Sequence, residues 1–250
     1  MNSSLPEYDD LPPAPHGGRS GWHQFGDDDQ LGLVNLLTPE RVAHAATLVR
    51  RGVVFPLDLP LGTFAPPLNP LRGLPARTVH RQKVIGFDDS YDNLWPQAGS
   101  QWDSLAHIGY TREAYYNGAT DDDIVSGRRN GIGNWNQHGI AGRGILLDMT
   151  AVVDFAPDSS TTFGPAELEA ARELAGVEYR PGDILLLHTG FTAWYAAQPD
   201  EVRAELPSNL RSPGLEHTED VCRYLWNTHA AAIVADNTAV EAWPANTLES

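Results

Sequence analysis

Three short apolar runs, each closed by a polar group, set the frame of this chain: Gly144-Ile-Leu-Leu-Asp148, Asp183-Ile-Leu-Leu-Leu-His188 and Ala231-Ala-Ile-Val-Ala235. Runs of this length with polar or glycine boundaries predict buried strands. Between them, Pro165 to Ala175 reads as a helix ended by Gly176, and a second helix runs from about Thr218 to His229 with Val221, Tyr224, Leu225 and Thr228 on one face. Strands alternating with helices predict an α/β fold. Upstream, Thr38-Pro39 supplies an N-cap and first turn for a helix carrying Val42, Ala45, Ala46 and Val49, stopped by Gly52. Residues 53–59 predict an edge strand interrupted by Pro56. Pro66 to Pro75, with four prolines, predicts a loop, and Thr78 to Phe87 a strand entering an Asp88-Asp89 turn. Asp121-Asp-Asp-Ile-Val125 predicts a short helix with an acidic first turn. Residues 1–20, rich in Pro, Asp, Gly and Ser, predict a mobile arm, and no linker divides residues 21–250, which predicts one domain.

Composition narrows the function classes. Seventeen basic against 33 acidic residues give a formal charge of −16. That field opposes nucleic acid and anionic membrane surfaces. The lone cysteine, Cys222, excludes an internal disulfide and is expected as a buried thiol of the second helix. No basic, apolar leader opens the chain, and the longest apolar run, Ala230 to Ala235, is too short to span a bilayer. A soluble, cytoplasmic protein is the expectation, and the charge says nothing about the reaction. Nucleotide-binding glycine loops and a Gly-x-Ser-x-Gly elbow are both missing from the sequence.

The chemistry concentrates in Gln97-Ala-Gly-Ser-Gln-Trp-Asp-Ser-Leu-Ala-His107. In an extended strand, Gln97, Gln101, Asp103 and His107 point to one side and Trp102 to the other. Four groups with lone pairs would then converge on a divalent ion or a carbonyl. The plain alternative is an edge strand with a solvated polar face, in which Asp103 caps a turn and His107 is a satisfied histidine. Trp95, Trp102, Tyr115 and Tyr116 surround this stretch and could stack on a planar substrate or simply pack in the core. His138 could border a substrate. His188, before Thr189-Gly190, fits a turn or core role, and His80 a surface one.

This stretch resembles the signature His-x-Gly-Thr-His-x-Asp-x-Pro-x-His of the cyclase family, metal-dependent hydrolases that include bacterial kynurenine formamidase and isatin hydrolase. Gly99, Ser100, Asp103 and His107 fall in register, while Gln97 and Gln101 replace the first two histidines and Leu105 the proline. Gly26 to Val42, Tyr115-Tyr-Asn-Gly118, Gly131-Ile-Gly-Asn-Trp135, Gly142 to Asp148 and Asp236 to Pro244 are also similar to the family's longer bacterial branch, in order. The resemblance implies a swivelling β/β/α domain with a central mixed sheet or partial barrel and flanking helices. It implies a zinc or manganese ion on Asp103, with His107 as a ligand or general base and Gln97 or Gln101 as weaker ligands. It further implies hydrolysis of an amide, formamide or lactone, or the reverse ring closure, in a homo-oligomer (dimer or tetramer). The family places a further histidine and acidic residue beyond the Asp236–Pro244 region, which this sequence, ending at Ser250, does not include. The glutamines keep two alternatives open, a non-catalytic scaffold and a metal-independent polyketide-type cyclase.

Overall fold

A computed structural model describes residues 5–14 and 17–245. In chain order its helices and strands are α1 (Pro39–Ala46), β1 (Ala76–Arg81), β2 (Phe87–Asp92), α2 (Asp121–Val125), α3 (Ile132–His138), β3 (Gly144–Asp148), β4 (Thr162–Phe163), α4 (Pro165–Ala175), β5 (Ile184–His188), α5 (Phe191–Ala197), α6 (Asp200–Asn209), β6 (Gly214–Leu215), α7 (Glu219–Thr228) and β7 (Ala232–Ala235). The fold is mixed α/β, with a parallel sheet ordered β3-β5-β7, a short parallel pair β4-β6 and an antiparallel hairpin β1-β2. No helix among the described residues is long and apolar enough to cross a membrane.

The three apolar runs form the three parallel strands, with one face of the sheet closed and the other open at the edge strand β3. Ile145, Leu147, Leu185 and Leu187 are buried with Leu168 and Ala171 of α4 and Val221 of α7. On the other face Leu146 stays 57% exposed. Both helices pack on the same side, so the alternate residues of β3 lack cover. The caps follow the sequence. Thr38 accepts from the Arg41 N–H, Thr120 and Asp123 cap α2 reciprocally, and Gly176 ends α4 at φ 64°. At the amino-terminal edge Asp183, 3% exposed, takes both prongs of the Arg143 guanidinium at 2.8 and 2.7 Å. Its carboxylate also accepts from the Arg180 N–H at 2.7 Å, and its carbonyl from the Ala231 N–H at 2.8 Å. One residue thus ties together the starts of all three parallel strands.

Four local expectations are corrected. Residues 53–59 form no strand and stay exposed apart from Leu59, because no neighbouring strand pairs with them. The region 76–92 is a hairpin whose turn is residues 82–86, so Asp88 and Asp89 lie within β2. The described part of the N-terminal arm is docked: Tyr8 and Leu11 are buried, the Tyr8 N–H donates to Asn227 Oδ1 at 2.8 Å, and the Trp226 indole donates to the Pro6 carbonyl at 2.8 Å. The charged stretch of the arm hides two apolar anchors that composition averages away. Residues 1–4, 15 and 16 of the expected arm lie outside the described residues. Cys222 is exposed on α7, since Val221 takes the buried position beside it.

Candidate functional site

Positioning of the site begins with two loops stitched by buried amides. Asn117, at φ 53°, donates to the Gly26 and Asp29 carbonyls, both at 3.0 Å, and accepts from the His23 N–H at 2.8 Å. Tyr116 donates to Asp29 at 2.9 Å, and burial beside that carboxylate pushes its phenol pKa well up. Gln30 accepts from the Asn130 N–H at 2.8 Å and the Asn134 amide at 3.0 Å. These bonds fix α3, and with it Trp135, against Val34, Leu37 and Ala231 at the amino-terminal edge of the parallel sheet.

Residues 97–107 are not a strand. Pro96 opens a 3₁₀ turn over Pro96–Ala98, and the chain turns again where the His107 N–H donates to the Ser104 carbonyl at 3.0 Å. Ser104 Oγ accepts from the Ala106 N–H at 3.3 Å and fixes that second turn. The loop is held at Ser100 Oγ by the Leu59 N–H at 2.9 Å, and at the Gln97 carbonyl by Arg72.

The turns nonetheless bring the signature together. Gln97, Gln101 and His107 line one cavity of about 630 Å³, walled by Trp102, Ile132, Trp135 and Ile140. Asp103 stands beside it: Gln101 Nε2 donates to Asp103 Oδ2 at 3.1 Å, and His107 Nε2 faces Asp103 Oδ1 at 3.8 Å. The 3.8 Å gap exceeds a hydrogen bond. Trp102, expected on the opposite side, also faces the cavity, because the non-strand backbone breaks the two-residue alternation. Its ring meets Trp135 edge to face with centroids 6.4 Å apart. The buried Trp135 indole N–H has no hydrogen-bond partner among the described residues, a donor that a ligand carbonyl reaching this wall would satisfy.

Three expected substrate contacts lie off this lining. Trp95 is 44% exposed and donates to Asn93 Oδ1 at 2.8 Å. The backbone of Tyr115 bonds Ala119, and its phenol pKa is raised by burial and by Asp121. His138 is exposed with Nδ1 2.9 Å from the Gly139 carbonyl, although Gly139 and Asn136 beside it line the cavity.

Among the described residues no three His, Cys, Asp or Glu side chains meet in a metal-holding geometry. The donor set at the cavity is one carboxylate, one imidazole and two amide oxygens. That chemistry fits a loosely held divalent ion, and its oxygen-rich character suits manganese or magnesium better than zinc.

Sequence reading missed a second polar group. In register across the sheet, Asp148 pairs His188, and Asp236 follows the pair Leu187–Ala235, so three ionisable residues form a row at the carboxyl ends of β3, β5 and β7. His188 Nδ1 lies 2.9 Å from Asp148 Oδ1, and Nε2 lies 3.9 Å from Asp236 Oδ2. Hydrogen bonding from Thr150, with His188 adding to it, holds the Asp148 carboxyl below its usual range. Asp236 accepts from Thr189 Oγ1 at 2.8 Å and the Gly190 N–H at 2.9 Å. The row ties the carboxyl ends of the three strands together, and none of its residues lines the cavity. Its signal in the sequence was the polar residue closing each apolar run.

The family model named Cyclase matches residues 36–242. A crystal structure described as a novel cyclase superposes with a TM-score of 0.80 at 30% identity, covering 90% of this chain and 79% of that one. No curated protein matches. The match spans most of the sequence and includes every residue of the cavity, and the chain belongs to the cyclase family.

Proposed function

We propose that this protein is a metal-assisted hydrolase or cyclase that works on the amide, formamide or lactone carbonyl of a small cyclic or aromatic substrate, in the manner of an arylformamidase. The observation that carries the reading is the meeting of Gln97, Gln101 and His107 in one tryptophan-walled cavity, with Asp103 bonded behind them. The swivelling β/β/α arrangement belongs to the same reading, supported by family membership.

The side chains divide the work. Trp102 and Trp135 offer apolar, perpendicular ring surfaces that hold a planar substrate. The Gln97 and Gln101 amides supply neutral donors for the carbonyl oxygen as charge develops on it. His107 Nε2 accepts the proton of the attacking water and returns it to the leaving nitrogen or oxygen. Asp103, across the 3.8 Å gap, orients that imidazole and stabilises its protonated form. A divalent ion held by Asp103 and the amide oxygens would add Lewis-acid polarisation of the carbonyl.

Thermal unfolding of EDTA-stripped protein tests the ion. A ligand at a hundredfold excess over its Kd stabilises the native state by about 2.7 kcal/mol, a Tm rise of roughly 5–11 °C for a chain of this size. Manganese is expected to give the largest rise, and Asp103→Ala to abolish it. No rise with manganese, magnesium or zinc would remove the ion from the account. In parallel, an aryl formamide, a cyclic imide and an aryl lactone are assayed by absorbance. Turnover of none of them would favour a non-catalytic scaffold.

A further inference from the structure

The cavity has two unlike walls. Gln97, Gln101 and His107 all come from the 97–107 loop, whereas Ile132, Trp135, Asn136, Gly139 and Ile140 come from α3 and the turn that follows it. Ile132, Trp135 and Asn136 stand at the three- and four-residue spacing that places side chains on one helix face. Asn136 brings the only polar side chain to that second wall. It is exposed, and among the described residues its amide has no hydrogen-bond partner.

Formal charge is missing from the lining. No Lys, Arg, Asp or Glu stands among the described residues that line the cavity. Asp103 is just beside it, bonded to Gln101, in a chain of formal charge −16. Arg72 meets the loop at the Gln97 backbone carbonyl, outside the lining. A substrate carboxylate entering here would lose hydration, gain no cation and approach Asp103. A substrate ammonium would find one carboxylate, already faced by Gln101 and His107. An uncharged polar group is the better match. A primary amide both donates and accepts, so Asn136 pairs equally well with a carbonyl, a hydroxyl or a ring N–H.

We propose that Asn136 reads an uncharged polar substituent on the substrate ring, away from the carbonyl that reacts, and that the charge-free lining rejects carboxylate-bearing substrates. This specificity rests on the carbonyl chemistry proposed for the same cavity. The ring lies against Trp102 and Trp135, its reacting carbonyl towards the 97–107 loop and its second polar group towards α3.

Isothermal titration calorimetry with acetanilide, para-acetamidobenzamide and para-acetamidobenzoate reads this by binding, the acetyl group standing in for a more readily cleaved formyl. Para-acetamidobenzamide is expected to bind roughly three- to tenfold tighter than acetanilide, the worth of one neutral hydrogen bond. Para-acetamidobenzoate should bind at least about tenfold more weakly than the amide. Asn136→Leu, close in size, should bring the amide to the affinity of acetanilide while leaving acetanilide within about twofold. Asn136→Lys supplies the missing cation and should tighten the carboxylate about tenfold. The position is exposed, and circular dichroism confirms the fold of each variant. If none of the three compounds binds, the carbonyl-substrate reading of the cavity falls and this specificity with it. If they bind, but the carboxylate matches the amide or Asn136→Leu keeps the preference for the amide, the specificity alone is overturned.

Discussion

Asp103→Asn is expected to lower kcat/KM at least about 1000-fold, with most of the loss in kcat. The substitution keeps the shape of the side chain and its contact with Gln101 but removes the charge facing His107 Nε2 across 3.8 Å. A positioned acid–base pair contributes on the order of 10²–10⁴-fold, and the same carboxylate is the strongest candidate ion donor, so both contributions are lost together. His107→Ala should cost a similar factor, and the double variant little more than either alone, because residues acting as one unit are not additive. The side chain of Asp103 is 41% exposed, so neither stability nor the circular dichroism spectrum should change much. Steady-state kinetics on any substrate found by the carbonyl panel decides the matter. A variant within a few fold of wild type would remove Asp103 from the chemistry.

Asp183→Ala should be the most damaging single change to the fold, at about 3–5 kcal/mol. Asp183 is buried and holds the Arg143 guanidinium with two bonds, so its loss strands a charge in a poorly solvated place. It also leaves the Arg180 N–H without its acceptor. For a domain of this length the Tm should fall by roughly 6–20 °C. The double variant Arg143→Leu with Asp183→Leu should recover part of the loss, because both unpaired groups are then gone. Differential scanning calorimetry reads the effect. A fall of no more than a degree or two would mean that the pair contributes nothing to joining the strand starts.

The parts of the fold governed by local rules were legible in the sequence. The three parallel strands are short apolar runs with polar ends, and α1, α2, α4 and α7 each carry a capping threonine or a terminating glycine where a helix needs one. The parts that failed depend on partners distant in the chain. Residues 53–59 have strand-like composition but no strand to pair with, and residues 97–107 have alternating chemistry in a loop that Pro96 and Ser104 turn twice. Gln97, Gln101 and His107 still share a cavity, brought there by the turns and not by pleat alternation. For the same reason Trp102 faces inward, against the expectation from a strand. The docking of Tyr8 and Leu11 was hidden by the acidic residues around them. The Asp148–His188–Asp236 row exists only through strand register, which no single segment encodes.

The central claim, that the tryptophan-walled cavity receives the substrate, is tested most directly by titrating formanilide into ¹⁵N-labelled protein and following the side-chain N–H resonances. Seven tryptophans report from separate places in the fold. The account predicts saturable shifts of the Trp102 and Trp135 indoles together with the Gln97 and Gln101 amides, while Trp22, Trp194, Trp226 and Trp243 hold still. Saturable shifts confined to those four, with Trp102 and Trp135 unmoved, would contradict it.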